Sequence, residues 1–326
     1  MTAAPLCTRQ LGASAVRVTE LSFGGAAIGN LFTEVSDEAA AGAVAAAWNG
    51  GIRTFDTAPH YGLGLSEQRL GAALRQYPRD EYVICTKVGR VLEQAFPPYG
   101  RDDEGFAVAA TCRRVWDYST DGVPRSLEAS LDRLGLDRID VALIHDPDDY
   151  GEQALREAYP ALERLRAEGC VRAIGVGMNQ VEMLARFVTD TDVDVVLVAG
   201  RYTLLDQSAS LELLPAARDR GVSVLAAGVF NSGLLAAPAA NANYDYLPAP
   251  GDLVARARRL EAICAQFGVP LRAAAARFPM RHPAVACVLV GARSAAEVAD
   301  AVSLWQSEIP GALWDVLDAE QARSWA

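Results

Sequence analysis

Short apolar runs alternate along the chain with longer segments in which hydrophobic positions recur three or four residues apart. The runs cover residues 20–23, 53–56, 82–86, 139–145, 173–176, 193–198, 222–226 and 286–290. Several are apolar at nearly every position, which is typical of strands buried on both faces of a parallel sheet. Eight such runs with about eight intervening helical patterns favour a closed (β/α)8 TIM barrel.

The ends of the predicted helices carry recognisable signals. Ser36 precedes two acidic residues and an alanine-rich run to Trp48, which predicts an N-cap followed by a helix. Pro124 and Gly135 are expected to open and close another helix. In a third, residues 252–267, the apolar stripe consists of Leu253, Ala257, Leu260, Ile263, Cys264 and Phe267.

An open doubly wound sheet is the alternative for an alternating chain. It needs a G-x-G-x-x-G turn that opens a helix directly after the first strand. The glycine-rich segment 24–29 is offset from that spacing, and Ser36 indicates a later helix start, so the barrel is preferred. We expect residues 9–17 to form a hairpin that plugs the barrel bottom. Residues 93–123 are expected to form a long functional loop at the C-terminal face.

Composition narrows the function classes. The 326 residues are 51% hydrophobic and contain no linker-like stretch, so we expect one barrel domain over residues 1–326. A net charge of −11 argues against binding to nucleic acid or to an anionic membrane surface. No membrane span or signal peptide is evident, which predicts a soluble cytoplasmic protein. Six cysteines without a C-x-x-C pair and three scattered histidines predict no metal site.

Four polar residues fall at or just beyond the ends of three predicted strands, where barrel enzymes carry their active sites. They are Asp56, Tyr61, Lys87 and His145. Each alone has an ordinary structural explanation, but together they form one chemical set. A phenol is a poor base at neutral pH, whereas an adjacent ammonium lowers its pKa. Lys87 would act in this way on Tyr61, Asp56 would hold Lys87, and His145 would orient the substrate oxygen or help pass the proton.

The segment 51–62, G-I-R-T-F-D-T-A-P-H-Y-G, together with Ser66 and Glu67, resembles the aldo-keto reductase signature G-x-x-x-D-T-A-x-x-Y-G-x-S-E. Residues 174–179 are similar to the family's fifth-strand I-G-V-S-N segment, and Thr86 and Lys87 match its third strand. The resemblance runs from about residue 20 to about residue 300. It implies a barrel oxidoreductase in which Asp56, Tyr61, Lys87 and His145 form the catalytic tetrad.

The resemblance also implies a nicotinamide cofactor across the barrel mouth. The residues expected to contact it are Gly25, Asn179, Gly228, Phe230, Asn231, Gly233, Leu235, Gly291, Arg293 and Glu297. Three neighbours depart from the family: Met178 replaces a serine, Ala199 a glutamine, and Ala227 the aromatic residue that stacks on nicotinamide. Val229 or Phe230 is expected to take over that face.

The loop after the eighth strand bears on the choice of cofactor. In NADP-preferring members of the family, a lysine and an arginine of this loop bind the 2′-phosphate, and Gly291 and Glu297 stand at those positions here. A carboxylate repels a phosphate dianion but can accept a hydrogen bond from a free ribose hydroxyl. We therefore expect NAD, with NADP as the alternative because Arg293 could reach a phosphate.

His60 and the segments 199–205 and 231–235 resemble most the sugar 1-dehydrogenase subgroup, the L-fucose, D-threo-aldose and L-galactose dehydrogenases. This implies oxidation of a small-molecule sugar at its anomeric carbon to the aldonolactone, with Tyr61 accepting the proton. A pyridoxal 4-dehydrogenase, which also forms a lactone, is the alternative. His60, Trp116 and Asp117 are candidate substrate contacts, although the last two could instead pack and cap their loop.

A non-catalytic barrel is the alternative from another class. The β subunits of potassium channels resemble the same family, bind the cofactor and act mainly as partners. The complete set of Asp56, Tyr61, Lys87 and His145 argues against that role here.

Overall fold

Eight parallel strands close into a barrel in the computed structural model, which describes residues 6–95, 100–239, 241–245 and 247–324. The strands are β1 Leu21–Gly24, β2 Thr54–Asp56, β3 Val83–Val88, β4 Val141–His145, β5 Ala173–Met178, β6 Val195–Ala199, β7 Ser223–Ala227 and β8 Val285–Gly291. Each pairs with its neighbours in chain order, and β8 closes the barrel on β1. The predicted (β/α)8 barrel is confirmed.

Helices surround the barrel. They are α1 Asp37–Asn49, α2 Leu65–Leu74, α3 Gly122–Leu134, α4 Tyr159–Ala167, α5 Val181–Asp190, α6 Leu213–Arg220, α7 Gly251–Gln266, α8 Leu271–Arg277, α9 Ala295–Gln306 and α10 Gly311–Ser324. A turn at Gly151–Gln153 and a π-helical turn at Ala154–Ala158 lead into α4. Short 3-10 turns lie at Ala27–Gly29, Arg79–Glu81, Ser208–Ser210 and Phe278–Arg281.

The predicted helix ends agree with the structure except at α3. Ser36 caps α1 by accepting a hydrogen bond from Ala39 N at 3.1 Å. Gly135 follows α3 with φ of 60°, the left-handed conformation that glycine adopts at little cost. However, α3 begins at Gly122 rather than at Pro124, because the Ser119 hydroxyl accepts a hydrogen bond from Gly122 N at 3.0 Å.

The predicted N-terminal hairpin pairs Thr8–Gln10 with Arg17–Thr19 and closes the bottom of the barrel. Leu11 and Val16 are fully buried among the inward-facing side chains of the strands. Gly12 N donates to the Ser223 hydroxyl at 2.8 Å, at the start of β7. The hairpin therefore seals the end opposite the expected active site.

The long segment after β3 is more ordered than a loop. Arg90–Gln94 pairs with Cys112–Trp116 as an antiparallel hairpin at the barrel mouth, and residues 96–99 of this segment lie outside the described residues. Residues beyond the gap fold back over the mouth, where Ala107 N donates to Asn30 O at 2.8 Å. A helix that could cross a membrane is absent from the described part of the chain. Residues 1–5, at which we expect no signal peptide, are not described.

Candidate active site

A buried ion pair lies at the centre of the barrel mouth. Lys87 Nζ is 2.8 Å from each carboxylate oxygen of Asp56 and donates a third hydrogen bond to Thr57 O at 2.9 Å. Lys87 is 1% exposed and Asp56 4% exposed. All three ammonium protons are thus satisfied inside the barrel, which fixes the charge in place. Lys87 lies in β3, one residue before its end.

Tyr61 lies against this ion pair. Lys87 Nζ is 4.7 Å from the centroid of the Tyr61 ring. The turn that carries the ring packs against the first-strand loop so closely that a Cβ added to Gly29 would lie 2.9 Å from the Tyr61 carbonyl carbon and oxygen. Burial raises the pKa of Tyr61 above its ordinary value, while Lys87 acts in the opposite direction. The expected effect of Lys87 is present, but burial outweighs it.

The Ser66 and Glu67 pair of the signature braces the tetrad. The Ser66 hydroxyl donates to Gly25 O and lies 2.8 Å from the Thr57 hydroxyl. Glu67 is fully buried and accepts a hydrogen bond from the Thr86 hydroxyl at 2.7 Å, one residue before Lys87. These bonds tie α2 to the ends of β1, β2 and β3.

His145 completes the group at the end of β4. Its ring is perpendicular to that of Tyr61, with centroids 5.9 Å apart. Tyr118 is fully buried and donates to His145 O at 2.6 Å. Burial, and then the nearby Arg90 and Lys87, hold the pKa of His145 well below its usual range, so the imidazole is neutral. The structure thus brings all four predicted catalytic residues together.

His60 is a second neutral imidazole at the mouth. Burial, reinforced by Arg90, Arg114 and Lys87, lowers the pKa of His60 to about 2. Its ring lies 5.6 Å from that of His145 and 5.1 Å from that of Phe106. His60 therefore lies where a substrate contact was predicted.

Arg90 links His145, one of the predicted catalytic residues, to the hairpin. It pairs with Asp146, whose carboxylate oxygen lies 3.5 Å from His145 Nε2. Burial raises the pKa of Asp146 to about 6. Asp146 also adopts a positive φ of 42°, an uncommon conformation for a residue other than glycine. The chain thus turns sharply just after His145, which positions the carboxylate beside the imidazole.

The two other candidate substrate residues are engaged within the hairpin. Trp116 is 41% exposed, with Arg90 4.4 Å from its ring centroid and Tyr150 stacked against it at 5.8 Å. The Asp117 carboxylate accepts hydrogen bonds from Ser119 and Arg125. Both residues therefore already have partners: Trp116 on the hairpin and after β4, and Asp117 in its own loop and on α3.

A cavity of about 600 Å³ extends from the end of β5 to the start of α9. Eight of the ten residues predicted to contact a cofactor line it, namely Asn179, Gly228, Phe230, Asn231, Gly233, Gly291, Arg293 and Glu297. Its inner end reaches Asn179, two residues beyond the Gly177 that pairs with His145. The cavity therefore reaches the end of β5, the strand next to the one that carries His145, although the tetrad is not among its described lining residues.

Gly25 and Leu235 are placed differently. Leu235 is fully buried in the core, and neither residue is among the described residues that line the cavity. A Cβ at Gly25 would lie 2.6 Å from Asp56 O, so this glycine permits close strand packing. Of the three positions that depart from the family, Ala199 lines the cavity, Ala227 is not among its described lining residues, and Met178 is 2% exposed and packs in the core. Val229 and Phe230, expected to take over the nicotinamide face, both line the cavity.

Glu297 and Arg293 interact at the far end of the cavity. Glu297 Oε2 accepts a hydrogen bond from Arg293 N at 2.8 Å, and Oε1 lies 3.4 Å from Arg293 Nη2. Ser294 caps α9 by accepting a hydrogen bond from Glu297 N. The carboxylate is thus fixed on the first turn of the helix beside the cavity.

The sequence matches the Aldo/keto reductase family over residues 20–319. The chain belongs to this family. Over 308 residues it is 46% identical to a D-threo-aldose 1-dehydrogenase of a Pseudomonas species, covering 93% of this chain and 94% of that protein. It is 40% identical to a pyridoxal 4-dehydrogenase of Microbacterium luteolum over an alignment of 331 residues that covers 96% of each. A glycerol dehydrogenase of Gluconobacter oxydans shares the fold, with a TM-score of 0.76 at 24% identity and coverage of 97% and 95%.

Membership confirms the resemblance drawn from the segment around Tyr61, and it makes the protein an oxidoreductase that uses a nicotinamide cofactor. The cavity offers suitable groups. Asn231 is 2% exposed, donates to Gly200 O at 3.1 Å, and has a buried Oδ1 that lacks a hydrogen-bond partner among the described residues. A buried amide of this kind fits a polar ligand. Asn179 and Asn231 would thus hold polar parts of the cofactor.

The sequence did not reveal the charged cluster around the histidines. Arg90, Glu104, Phe106, Arg114 and Asp146 all lie within or beside the mouth. Except for Asp146, which follows His145 directly, they come from the hairpin and the residues between its strands. The charged residues on those short strands were the available signal, but their pairing was not apparent.

Proposed function

We propose that the protein oxidises an aldose at its anomeric carbon with NAD and produces the aldonolactone. The observation that carries this proposal is the mouth itself, where the Tyr61 ring lies against a buried Lys87–Asp56 pair and beside a neutral His145. The 46% identical D-threo-aldose 1-dehydrogenase supports an aldose as the substrate.

Side chains of the protein itself accept the proton that the anomeric hydroxyl loses during oxidation. A bound nicotinamide ring would accept hydride from the anomeric carbon. Tyr61, as the phenolate, accepts the proton of the anomeric hydroxyl as the carbonyl of the lactone forms. Lys87 favours the phenolate electrostatically, and Asp56 fixes Lys87. His145 is neutral and has a buried Nδ1 without a partner among the described residues, so it can hydrogen-bond to the reacting hydroxyl.

The choice of NAD rests on the far end of the cavity. Glu297 presents a carboxylate there, beside Arg293. A carboxylate disfavours an added phosphate dianion and can accept a hydrogen bond from a ribose hydroxyl. Arg293 is already engaged by Glu297, which lowers its availability to a phosphate.

The decisive experiment is a panel of aldoses of different stereochemistry, with pyridoxal included, assayed with NAD and with NADP by the absorbance of reduced nicotinamide. We expect turnover of at least one aldose with NAD, lactone as the product, and loss of at least about a thousandfold in Tyr61→Phe. Unchanged activity in that variant would refute the assigned role of Tyr61.

Pyridoxal is the second candidate because the 40% identical relative is a pyridoxal 4-dehydrogenase. Turnover of pyridoxal with none of any aldose would replace the sugar in the proposal while retaining the tetrad. A protein that binds NAD but reduces none with any substrate in a single-turnover assay would be a cofactor-binding barrel rather than an enzyme.

A further inference from the structure

Four buried nitrogen atoms without a hydrogen-bond partner among the described residues belong to side chains that meet at the mouth. They are His60 Nδ1, His145 Nδ1, Arg90 Nε and Arg114 Nε. Buried polar atoms are normally paired, so a group of them beside a reacting centre indicates a polar ligand. The two neutral imidazoles can each donate or accept a hydrogen bond. A hydroxyl group, which also does both, matches them.

A buried ion pair between Asp102 and Arg114 holds Glu104 beside these nitrogen atoms. The Asp102 carboxylate, whose side chain is 2% exposed, pairs with Arg114. It also accepts hydrogen bonds from Glu104 N at 3.2 Å and from Phe106 N at 3.1 Å. Arg114 in turn donates to His60 O at 3.1 Å. The backbone at Glu104 is therefore fixed relative to His60 and the tetrad.

Among the described residues, the Glu104 carboxylate has long contacts with three groups at the mouth. Its oxygens lie 3.5 Å from Arg90, 3.5 Å from Arg114 and 3.7 Å from His60 Nδ1. Each arginine has a nearer carboxylate, Asp146 for Arg90 and Asp102 for Arg114. The Glu104 side chain is 44% exposed. The 3.7 Å separation is too long for a direct hydrogen bond, so the Glu104 carboxylate and His60 Nδ1 can each hydrogen-bond to a ligand hydroxyl.

The charges at the mouth indicate a neutral ligand. Lys87, Arg90 and Arg114 are matched by Asp56, Asp146 and Asp102. Glu104 adds a fourth carboxylate to these three cations. An acidic or phosphorylated sugar would therefore meet excess negative charge, whereas an uncharged polyol can donate hydroxyl hydrogens to it.

We propose that Glu104, with His60 and Arg114, forms the specificity subsite for the hydroxyl groups of a neutral polyol at carbons away from the reacting one. This inference rests on the proposed oxidation of an aldose. The Glu104 carboxylate accepts a hydrogen bond from such a hydroxyl, and His60 Nδ1 or Arg114 Nε contacts its oxygen. Phe106, perpendicular to His60, forms the apolar wall beside it.

The test is a comparison of Glu104→Gln with the wild type on one aldose and on its 2-deoxy, 3-deoxy and 4-deoxy analogues. We expect E104Q to lower kcat/KM on the complete aldose by about tenfold to a hundredfold, mainly through KM. On at least one deoxy analogue, which has already lost the partner hydroxyl, the loss should be less than about threefold. Glu93→Gln is the matched control, because Glu93 lies on the same hairpin and pairs with the exposed Arg113.

The possible outcomes separate the two proposals. An equal loss on every sugar, or a loss below about threefold on the complete aldose, overturns the subsite and leaves aldose oxidation intact. A wild-type protein that oxidises no aldose overturns both. Melting temperature and cofactor binding confirm that E104Q is folded. Glu104→Ala, which removes the whole carboxylate, must give the same pattern across the deoxy series, and a different pattern contradicts the subsite.

Discussion

At the scale of single residues, burial and charge act against each other on Tyr61. Its ring packs near Phe106, with centroids 6.1 Å apart, and burial raises the pKa of the phenol. Lys87 opposes this rise but does not cancel it. The phenol consequently holds its proton throughout the neutral range. Oxidation needs the phenolate, so the ionised fraction of Tyr61 should limit the rate.

This balance predicts the pH dependence of aldose oxidation. Because the raised pKa of Tyr61 keeps the deprotonated fraction small, kcat/KM should rise with pH by up to about tenfold per unit between about pH 7 and about pH 9. His60 and His145 should add no inflection there, since both are already neutral. Initial rates at fixed ionic strength test this. A flat profile, or one that falls over this range, would contradict a tyrosine base.

The sequence predicted which residues meet at the mouth but not their protonation. Asp56, Lys87 and His145 were recognisable because the ends of successive barrel strands converge. Tyr61, by contrast, is buried partly by Phe106, which reaches it from a loop 45 positions further along the chain. A pKa depends on this packing, and no local pattern around Tyr61 encodes it.

At the scale of elements, we expect the charge on the first turn of α9 to determine the preference between NAD and NADP. Replacing Glu297 by Arg removes a carboxylate beside the cavity and adds a cation, so the ratio of kcat/KM with NADP to that with NAD should rise about tenfold or more. Glu297→Gln is the control: it keeps an acceptor for Arg293 N while removing only the negative charge, and should give a smaller rise. Should the wild type already prefer NADP, the assignment of Glu297 is wrong.

The contact between α2 and α3 depends on a glycine. A Cβ at Gly71 would lie 1.8 Å from Leu134 O, so Gly71→Ala should lower the free energy of unfolding by about 1–3 kcal/mol. Gly42 in α1 is the matched control, because its added Cβ would meet only the Ala295 Cβ at 3.9 Å. Gly42→Ala should raise that free energy by about 0.5–1 kcal/mol. Chemical denaturation measures both, and equal effects would contradict the predicted packing.

Some strands and helices can be predicted from the local sequence pattern, and others cannot. Strands such as β6 can be predicted from nearly continuous apolar runs. The run predicted at 193–198 begins two residues before the strand itself, which starts at Val195. There, the Asp194 carboxylate accepts a hydrogen bond from Ile174 N at 2.9 Å, while Asp194 N donates to Ile174 O at 2.9 Å. The hairpin of Arg90–Gln94 with Cys112–Trp116 was missed, because its strands are short, charged and far apart in sequence. Its register is set by tertiary contacts that no local period reports.

At the scale of the whole molecule, the candidate active site and the hairpin that seals the barrel bottom lie at opposite ends of the barrel. The predicted tetrad and the proposed Glu104 subsite lie at the mouth, whereas the N-terminal hairpin contacts the first residues of β7 and β8 through Ser223 and Val285. We expect the cavity and the acidic mouth to bind small molecules, the cofactor and the sugar. The cytoplasmic location and the exclusion of nucleic acid stay predictions. This division means that stability and catalysis should respond to different substitutions.

Substitution of Leu11 tests whether stability and catalysis depend on different ends of the barrel. It is fully buried at the barrel bottom, so Leu11→Ala should lower the free energy of unfolding by about 2–5 kcal/mol through loss of packing and a residual cavity. Because the mouth lies at the other end, kcat and KM measured well below the melting temperature should change by less than about twofold. Gln10→Ala, on the same hairpin but exposed, should alter neither quantity appreciably. A large fall in kcat for L11A in a protein still fully folded would show that the plug supports the geometry of the mouth, and that the two ends are mechanically coupled through the strands.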